Sequence, residues 1–496
     1  MRVDRLISAR ARTIAPAAAL LLLAVGGEDS VPWPDGDPPA DAEIAAQIDD
    51  AIGLFELERA EEYLEALEKG EDAEHFFVLQ EDIDEGFWSL DQLFIRGDAL
   101  FGHEFRADDG FGDEDVPVAM QRVHQGRRGG RDAFSCAACH SLGGADGAGS
   151  GPQNAHLRGD GSKLSSTVVR NPPAAIGLGF VQALAREMTL ELQLLRDDAV
   201  AQAQQSDQSV VVALQTKEVD FGTLTVAPDG SLDTSEVRGI DADLVVKPFG
   251  WKGNVATLRR SIEDAALVHF GIQSHVLALG HQQQPDPERL GTGPDWFDPD
   301  GDGHARELEE GTLTATAVYL AMLEAPQIIP PHDPGLRDRW AHGSALFDVV
   351  GCAQCHVRQL PLLSPIWRER SDTTNAEPVV INLLTDGEHP KAGARVQLFS
   401  DLRRHDMGPE LSDDHEQPAD AIAPATFLTR PLWGLAESPP YLHDGRATTI
   451  VEAIIAHGGE AEASRDAFVT LPPEDQADLH VFLLSLSRAP RLRVPL

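Results

Sequence analysis

Cysteine is scarce in this chain, with four in 496 residues; tyrosine numbers three and methionine five. Positive charge is also short: 40 Lys and Arg face 81 Asp and Glu, for a formal net charge of −41. So few cysteines in so long a chain exclude a disulfide framework, which belongs to short secreted chains. The deficit of positive charge excludes nucleic acid and anionic membrane as partners, because both would repel the surface. Beyond the N-terminus no apolar run is long enough to cross a bilayer, so no span is expected after export.

The four cysteines fall into two pentapeptides, Cys136-Ala137-Ala138-Cys139-His140 and Cys352-Ala353-Gln354-Cys355-His356. C-x-x-C-H is the attachment signature of c-type haem: two thiols add to the porphyrin vinyl groups and the histidine becomes the proximal iron ligand. Other readings exist. Paired C-x-x-C motifs also build zinc sites, but with the pairs roughly fifteen to twenty residues apart. A thioredoxin-like C-x-x-C needs no histidine after it twice over. Two matches that consume every cysteine favour two covalently bound haems.

Haem of this kind is attached outside the cytoplasm, which requires export. Arginines at 2, 5, 10 and 12 precede an apolar run over 14–25 that ends at Gly26-Gly27. That is the pattern of a secretory signal, taken as residues 1–27, and it implies a periplasmic protein. An uncleaved N-terminal anchor is the alternative. Residues 28–95 read as a linker followed by a helical extension, with Ile44, Ile48, Ile52 and Phe55 at helical spacing.

A repeat then appears. Gly97-Asp98-Ala99-Leu100-Phe101 precedes the first haem motif and Gly343-Ser344-Ala345-Leu346-Phe347 the second. Each motif is followed far downstream by an expected closing helix, over 313–323 and 473–486. Two tandem modules, 96–330 and 335–490, account for this, in a mainly α fold. The first module carries a small inserted β segment. Its expected strands include Val210-Val211-Val212 and Leu244-Val245-Val246, with a Pro228-Asp229-Gly230 turn between. It also carries Asp298-Pro299-Asp300-Gly301-Asp302-Gly303-His304 through Glu309, which fits D-x-D-x-D-G-x5-E. Asp298, Asp300, Asp302, the His304 carbonyl and Glu309 are the expected calcium ligands; a solvated acidic turn is the alternative.

The second module carries Pro431-Leu432-Trp433-Gly434-Leu435, Tyr441-Leu442-His443-Asp444-Gly445-Arg446-Ala447 and His457-Gly458-Gly459-Glu460-Ala461. With Phe249-Gly250-Trp251-Lys252-Gly253, His405-Asp406-Met407-Gly408-Pro409 and Asn171-Pro172-Pro173, these resemble the bacterial di-haem cytochrome c peroxidase superfamily. The likeness is greatest to its di-haem oxidoreductase branch, sometimes labelled thiol oxidoreductases, and covers roughly residues 95–490. No cysteine remains free here for thiol chemistry. The resemblance implies two tandem cytochrome-c-like domains and peroxidase-like chemistry. It does not fix the substrate, since the superfamily also holds oxygenases and a protein-modifying enzyme.

The resemblance also assigns roles. Relatives place a distal methionine fourteen residues past the histidine of the HDG motif; here that position is His457. Thr449 to Ala456 has helical character and Gly458-Gly459 is a stop signal, so His457 stands at a helix end. It is the expected second ligand of the His356 haem, with Met407 as rival and a helix-capping role as the alternative. His156 matches a loop histidine that relatives use as a displaceable ligand of the first haem; a solvent-exposed loop histidine is the alternative. Arg446 is assigned to a haem propionate. Trp251 and Trp433 are candidates for standing between the haems, against ordinary core roles. His269 and His275 are weaker candidates for the pocket of the His140 haem, and Glu187 for the acid–base group there.

These readings describe a peroxidase-like oxidoreductase. Electrons pass from the His356 haem to the His140 haem, where peroxide or another small oxidant reacts. The expected donor is a small redox protein, a cytochrome or a cupredoxin. A non-catalytic electron carrier, or an oxygenase or protein-modifying enzyme, are the alternatives.

Overall fold

The computed structural model describes residues 78–105, 123–124, 127–128, 133–140, 154–157, 167–270, 308–323, 330–384, 394–413 and 422–487, with isolated positions in 272–276 and 325–328. The signal segment, the linker up to residue 77 and calcium-loop positions 298–307 lie outside them, as does His275. Described helices alternate with two- and three-stranded sheets.

The repeat has a packing reason. The helix Leu90–Gly102 crosses the helix Glu310–Met322, and a Cβ on Gly97 would overlap the Ala315 carbonyl and Tyr319 Cβ. The helix Pro334–Val349 crosses the helix Pro473–Leu484, and a Cβ on Gly343 would overlap the Asp478 carbonyl. In each pair the glycine lets two backbones touch, and the following Leu-Phe enters the core. Both closing helices start and end close to the expected positions. The helix Leu90–Gly102 runs through the boundary expected at residue 95, held at its start by a Ser89/Gln92 capping box. Both pairs belong to one contact-dense unit, 78–491.

Every residue of the helix Glu310–Met322 is buried, which is why its sequence after Glu310 is uncharged on all sides, while Glu310 is paired with Arg259. The second core gathers Phe347, Phe399, Phe468, Phe482 and Leu479 around the second haem motif, with the Phe347 and Phe482 rings 5.4 Å apart. Between the modules runs the helix Leu178–Ser206, which buries Phe180, Leu184, Met188 and Leu192 at four-residue spacing.

The β insertion is real but built differently than expected. Val210–Thr216 pairs with Val219–Val226, which pairs with Leu232–Asp233. The first hairpin turns at Lys217 and Glu218, both at positive φ. That geometry normally calls for Asn-Gly. Here Lys217 Nζ reaches back to Glu187, 2.6 Å away on the long helix. Leu244–Val246 is not a strand. It is apolar because Leu244 and Val246 are buried, and the Val246 N–H donates to Thr189 Oγ1.

Candidate functional site

Two cavities, of about 290 and 450 Å³, each carry one C-x-x-C-H motif on their walls. The smaller is lined by Cys352, Cys355, His356, Met407, Trp433, His443 and His457. The larger is lined by Cys136, Cys139, His140, Phe101, Phe105 and His269. Asn171, Pro172, Pro173, Trp251 and Arg430 line both, so they form a shared wall.

In the smaller cavity two imidazoles are prepared in the same way. His356 Nδ1 donates to the Phe399 carbonyl at 2.9 Å, and His457 Nδ1 to the Ala453 carbonyl at 2.7 Å. Spending Nδ1 on a carbonyl leaves Nε2 as the basic nitrogen, the arrangement that suits a metal-binding histidine. Burial pushes the His356 imidazole down to about 4, opposed by the Phe399 carbonyl and aided by nearby His457. Burial also lowers His457, so both rings are neutral and able to ligate. His457 is placed by the helix Ile450–Ala456, whose start is fixed by a Thr449/Glu452 capping box and whose C-cap is His457 itself. Met407 lines the same cavity, and its carbonyl lies against Gly458.

In the larger cavity His140 Nδ1 is buried without a hydrogen-bond partner. Burial pushes this imidazole down to about 4, with His269 and Arg430 adding to the effect and the Pro173 carbonyl opposing it. His269 lies on a π-helical turn, Ala266–Phe270, that extends the helix Leu258–Ala265. Such turns recur at functional sites because the extra residue re-aims side chains. Asp264 lines this cavity too.

His156 does not line it. The strand Ala155–Leu157 alternates, so Ala155 and Leu157 face the cavity while His156 lies 3.3 Å from Thr167 Oγ1. Arg446 is likewise off the cavity walls: it pairs with Asp444 at 2.5 Å and donates to the Glu410 carbonyl. Glu187 pairs with Lys217 and accepts from the Leu363 and Ser364 N–H groups, far from acid–base work. Trp433 is core to the smaller cavity, with Nε1 on the Gln397 carbonyl. Trp251 alone of the two tryptophans stands in the shared wall. Glu309 is the N-cap residue of the helix Glu310–Met322, without a capping side-chain bond.

The wall explains three separated motifs at once. Asn171 accepts from Trp251 Nε1 at 2.7 Å, and its own N–H donates to the His443 carbonyl at 2.7 Å. Asn171 Nδ2 also donates to the Pro440 carbonyl. Beside it, Asp413 accepts two bonds from Arg170 and lies 3.2 Å from both Lys252 Nζ and His443 Nε2. Burial would raise the Asp413 carboxyl, but His443 and Arg170 hold it well below the usual carboxylate range. His443 stacks on Phe427 at 4.3 Å, and is thus a wall residue rather than a free ligand.

The cavities fit haem. No disulfide joins the four cysteines, and the two pairs line different cavities, so they cannot share one zinc. Burial pushes Cys136 up to about 12 and Cys352 up to about 11, the opposite of an activated redox thiol. A buried imidazole beside two thiols and apolar walls suits a porphyrin bound through thioethers.

Residues 336–486 match the family model described as "Di-haem oxidoreductase, putative peroxidase". Over this stretch the chain is similar to that family. No curated protein matches the chain. Among solved structures it is similar to a MauG-like protein associated with microbial copper homeostasis, at 17% identity over 53% of this chain and 78% of that one, TM-score 0.26. It is also similar to the diheme peroxidase BthA of Burkholderia thailandensis, at 14% identity over 72% and 82%, TM-score 0.30. A third likeness is to hydrazine synthase of Kuenenia stuttgartiensis, at 16% identity over 61% and 92%, TM-score 0.23. No helix among the described residues is long and apolar enough to cross a membrane.

Proposed function

We propose that this chain is an exported, periplasmic c-type di-haem oxidoreductase of peroxidase type. The His356 site relays electrons, and the His140 site is where peroxide or another small oxidant is reduced. The observation that supports this is the asymmetry of the two cavities. In the smaller, His356 and His457 both keep Nε2 free while Nδ1 is fixed to a carbonyl. An iron held on both faces has no position left for a substrate and suits electron transfer. In the larger, His140 is the C-x-x-C-H imidazole and the other described histidine on the wall, His269, comes from a π-helical turn.

When bound, haem iron supplies the electron change and polarises the oxidant. The chain's part is to hold the iron, exclude water and move protons. His269 and Asp264 line the larger cavity and are the groups placed to give and take protons there. Trp251 stands in the wall between the sites, its indole N–H fixed on Asn171. The net charge of −41 favours a small basic electron-donor protein, a cytochrome or a cupredoxin.

The test is spectroscopic. Optical and paramagnetic resonance spectra of the oxidised and half-reduced protein should show one low-spin, six-coordinate haem without the near-infrared band of sulfur ligation. A second haem should bind cyanide or peroxide. His457→Gly should open the first to cyanide, and Met407→Leu should leave its spin state alone. If Met407→Leu makes that haem high-spin instead, methionine is the ligand. If neither haem binds an added ligand in any oxidation state, the chain is an electron carrier.

A further inference from the structure

Arg430 is a half-buried charged residue with no protein counter-ion, in the wall that the two cavities share. It lines both cavities, and its guanidinium lies 5.7 Å over the Trp251 ring. Among the described residues no carboxylate pairs with it and no acceptor takes its hydrogen bonds. Burial alone pushes it down, to about 10, so it still carries its charge near neutral pH. The fold treats other buried guanidinium groups differently. Arg170 is bidentate on Asp413, at 3.0 and 2.8 Å. Arg259 lies between Glu310 and Glu369, at 3.1 and 2.5 Å. Removing a guanidinium from water without a partner costs several kcal/mol. A fold that pairs these other arginines and leaves this one open has left a place for an anion that the chain does not supply.

Haem is an anion on its polar edge: each carries two propionate carboxylates. The guanidinium has five N–H donors in a planar fork, enough for two carboxylates at once, and its preferred partner is a carboxylate held bidentately. Its charge is felt at His140, on one side of the wall. We infer that Arg430 is a shared carboxylate clamp, taking a propionate from the haem in each cavity. The inference rests on the reading that both cavities hold haem. It has an electronic consequence. A fixed cation near two irons favours the reduced state of each, so one residue raises both reduction potentials together. Arg446, which the HDGR motif offers for such a contact, pairs with Asp444 and donates to the Glu410 carbonyl.

The experiment is redox titration of the intact two-haem protein by optical spectroelectrochemistry, with haem content measured on the same samples. Arg430→Gln removes the charge and keeps polarity. Both potentials should fall by at least the ~59 mV that corresponds to a tenfold change in a one-electron ratio. Arg430→Lys keeps the charge and should return both toward the parent values. Arg430→Met fills the same space without charge and serves in place of glutamine if that variant does not fold. Unchanged potentials in a folded, two-haem neutral variant would overturn the inference. A shift in one haem alone overturns the sharing, and a shift that lysine does not reverse overturns the role of charge. If the parent protein itself lacks two covalent haems, it is the two-haem reading that fails, and the haem count shows it before any titration.

Discussion

Gly97 and Gly343 hold the same position in two different helix crossings. Each stands three residues before a Leu-Phe pair, and at each a side chain would enter the backbone of the closing helix, at Ala315 or at Asp478. The repeated pentapeptide is therefore a steric requirement stated twice.

Alanine at either glycine should lower the melting temperature, since overpacking a tight crossing costs about 1–3 kcal/mol. Gly343→Ala should also disturb the core of Phe347, Phe399 and Phe482 beside the second haem motif. Thermal melts followed by the haem absorbance would show both effects. A substitution that leaves the melt unchanged would mean the helices separate at no cost.

Denatured protein made in a host with haem-attachment machinery should retain two covalent haems by mass and by in-gel haem staining. The double variant Cys136→Ala, Cys139→Ala should retain one. Bare polypeptide mass in the parent protein would remove the basis of the functional reading.

His405 is fixed between Asp401 and Glu460, each at 2.8 Å. Burial alone would push its imidazole down, but the hydrogen bond and charge of Asp401 raise it above an ordinary 6.5. A group raised on folding contributes stability that is fully present below its unfolded value and is lost as pH rises through its folded value. The melting temperature should therefore fall as pH rises above 6.5, and His405→Gln should flatten that decline. An equal slope in the variant would assign the decline to other groups.

The acidic loop ending at Glu309 should bind one calcium ion. Calcium at a hundredfold excess over Kd should stabilise the protein by roughly 2.7 kcal/mol, and chelation should reverse it. Asp298→Ala or Glu309→Ala should abolish the response. A melt indifferent to both calcium and chelator in the parent protein reduces the loop to a solvated turn.

What could be read in the sequence was whatever depended on local pattern. The haem motifs, the two closing helices and the helix end at His457 are all set by spacing, capping and stop residues within a dozen positions. What could not be read was set across the chain. Arg430 and Asp413 have no local signature. Their places follow from contacts to Trp251, and to Arg170 and Lys252, which lie more than 150 residues earlier in the sequence. The Lys217-Glu218 turn breaks the usual turn chemistry, held by a lysine whose carboxylate partner lies thirty residues earlier. Loop composition does not show which face of a short strand a ring will take, as at His156, which lies by Thr167. Leu244–Val246 was misread because burial alone, without pairing, can keep a segment apolar.

The wall of Asn171, Trp251 and Arg430 draws its first two members from before residue 330 and its third from after residue 335, and Asn171 is bonded to the His443 carbonyl across that divide. The protein is consequently not divisible at its own repeat. Cutting between residues 330 and 335 would hand each fragment a complete attachment motif and an unfinished chamber, so neither should hold its cofactor with the native spectrum until the two are mixed. Two repeated motifs in sequence serve, in three dimensions, two chambers that share one wall.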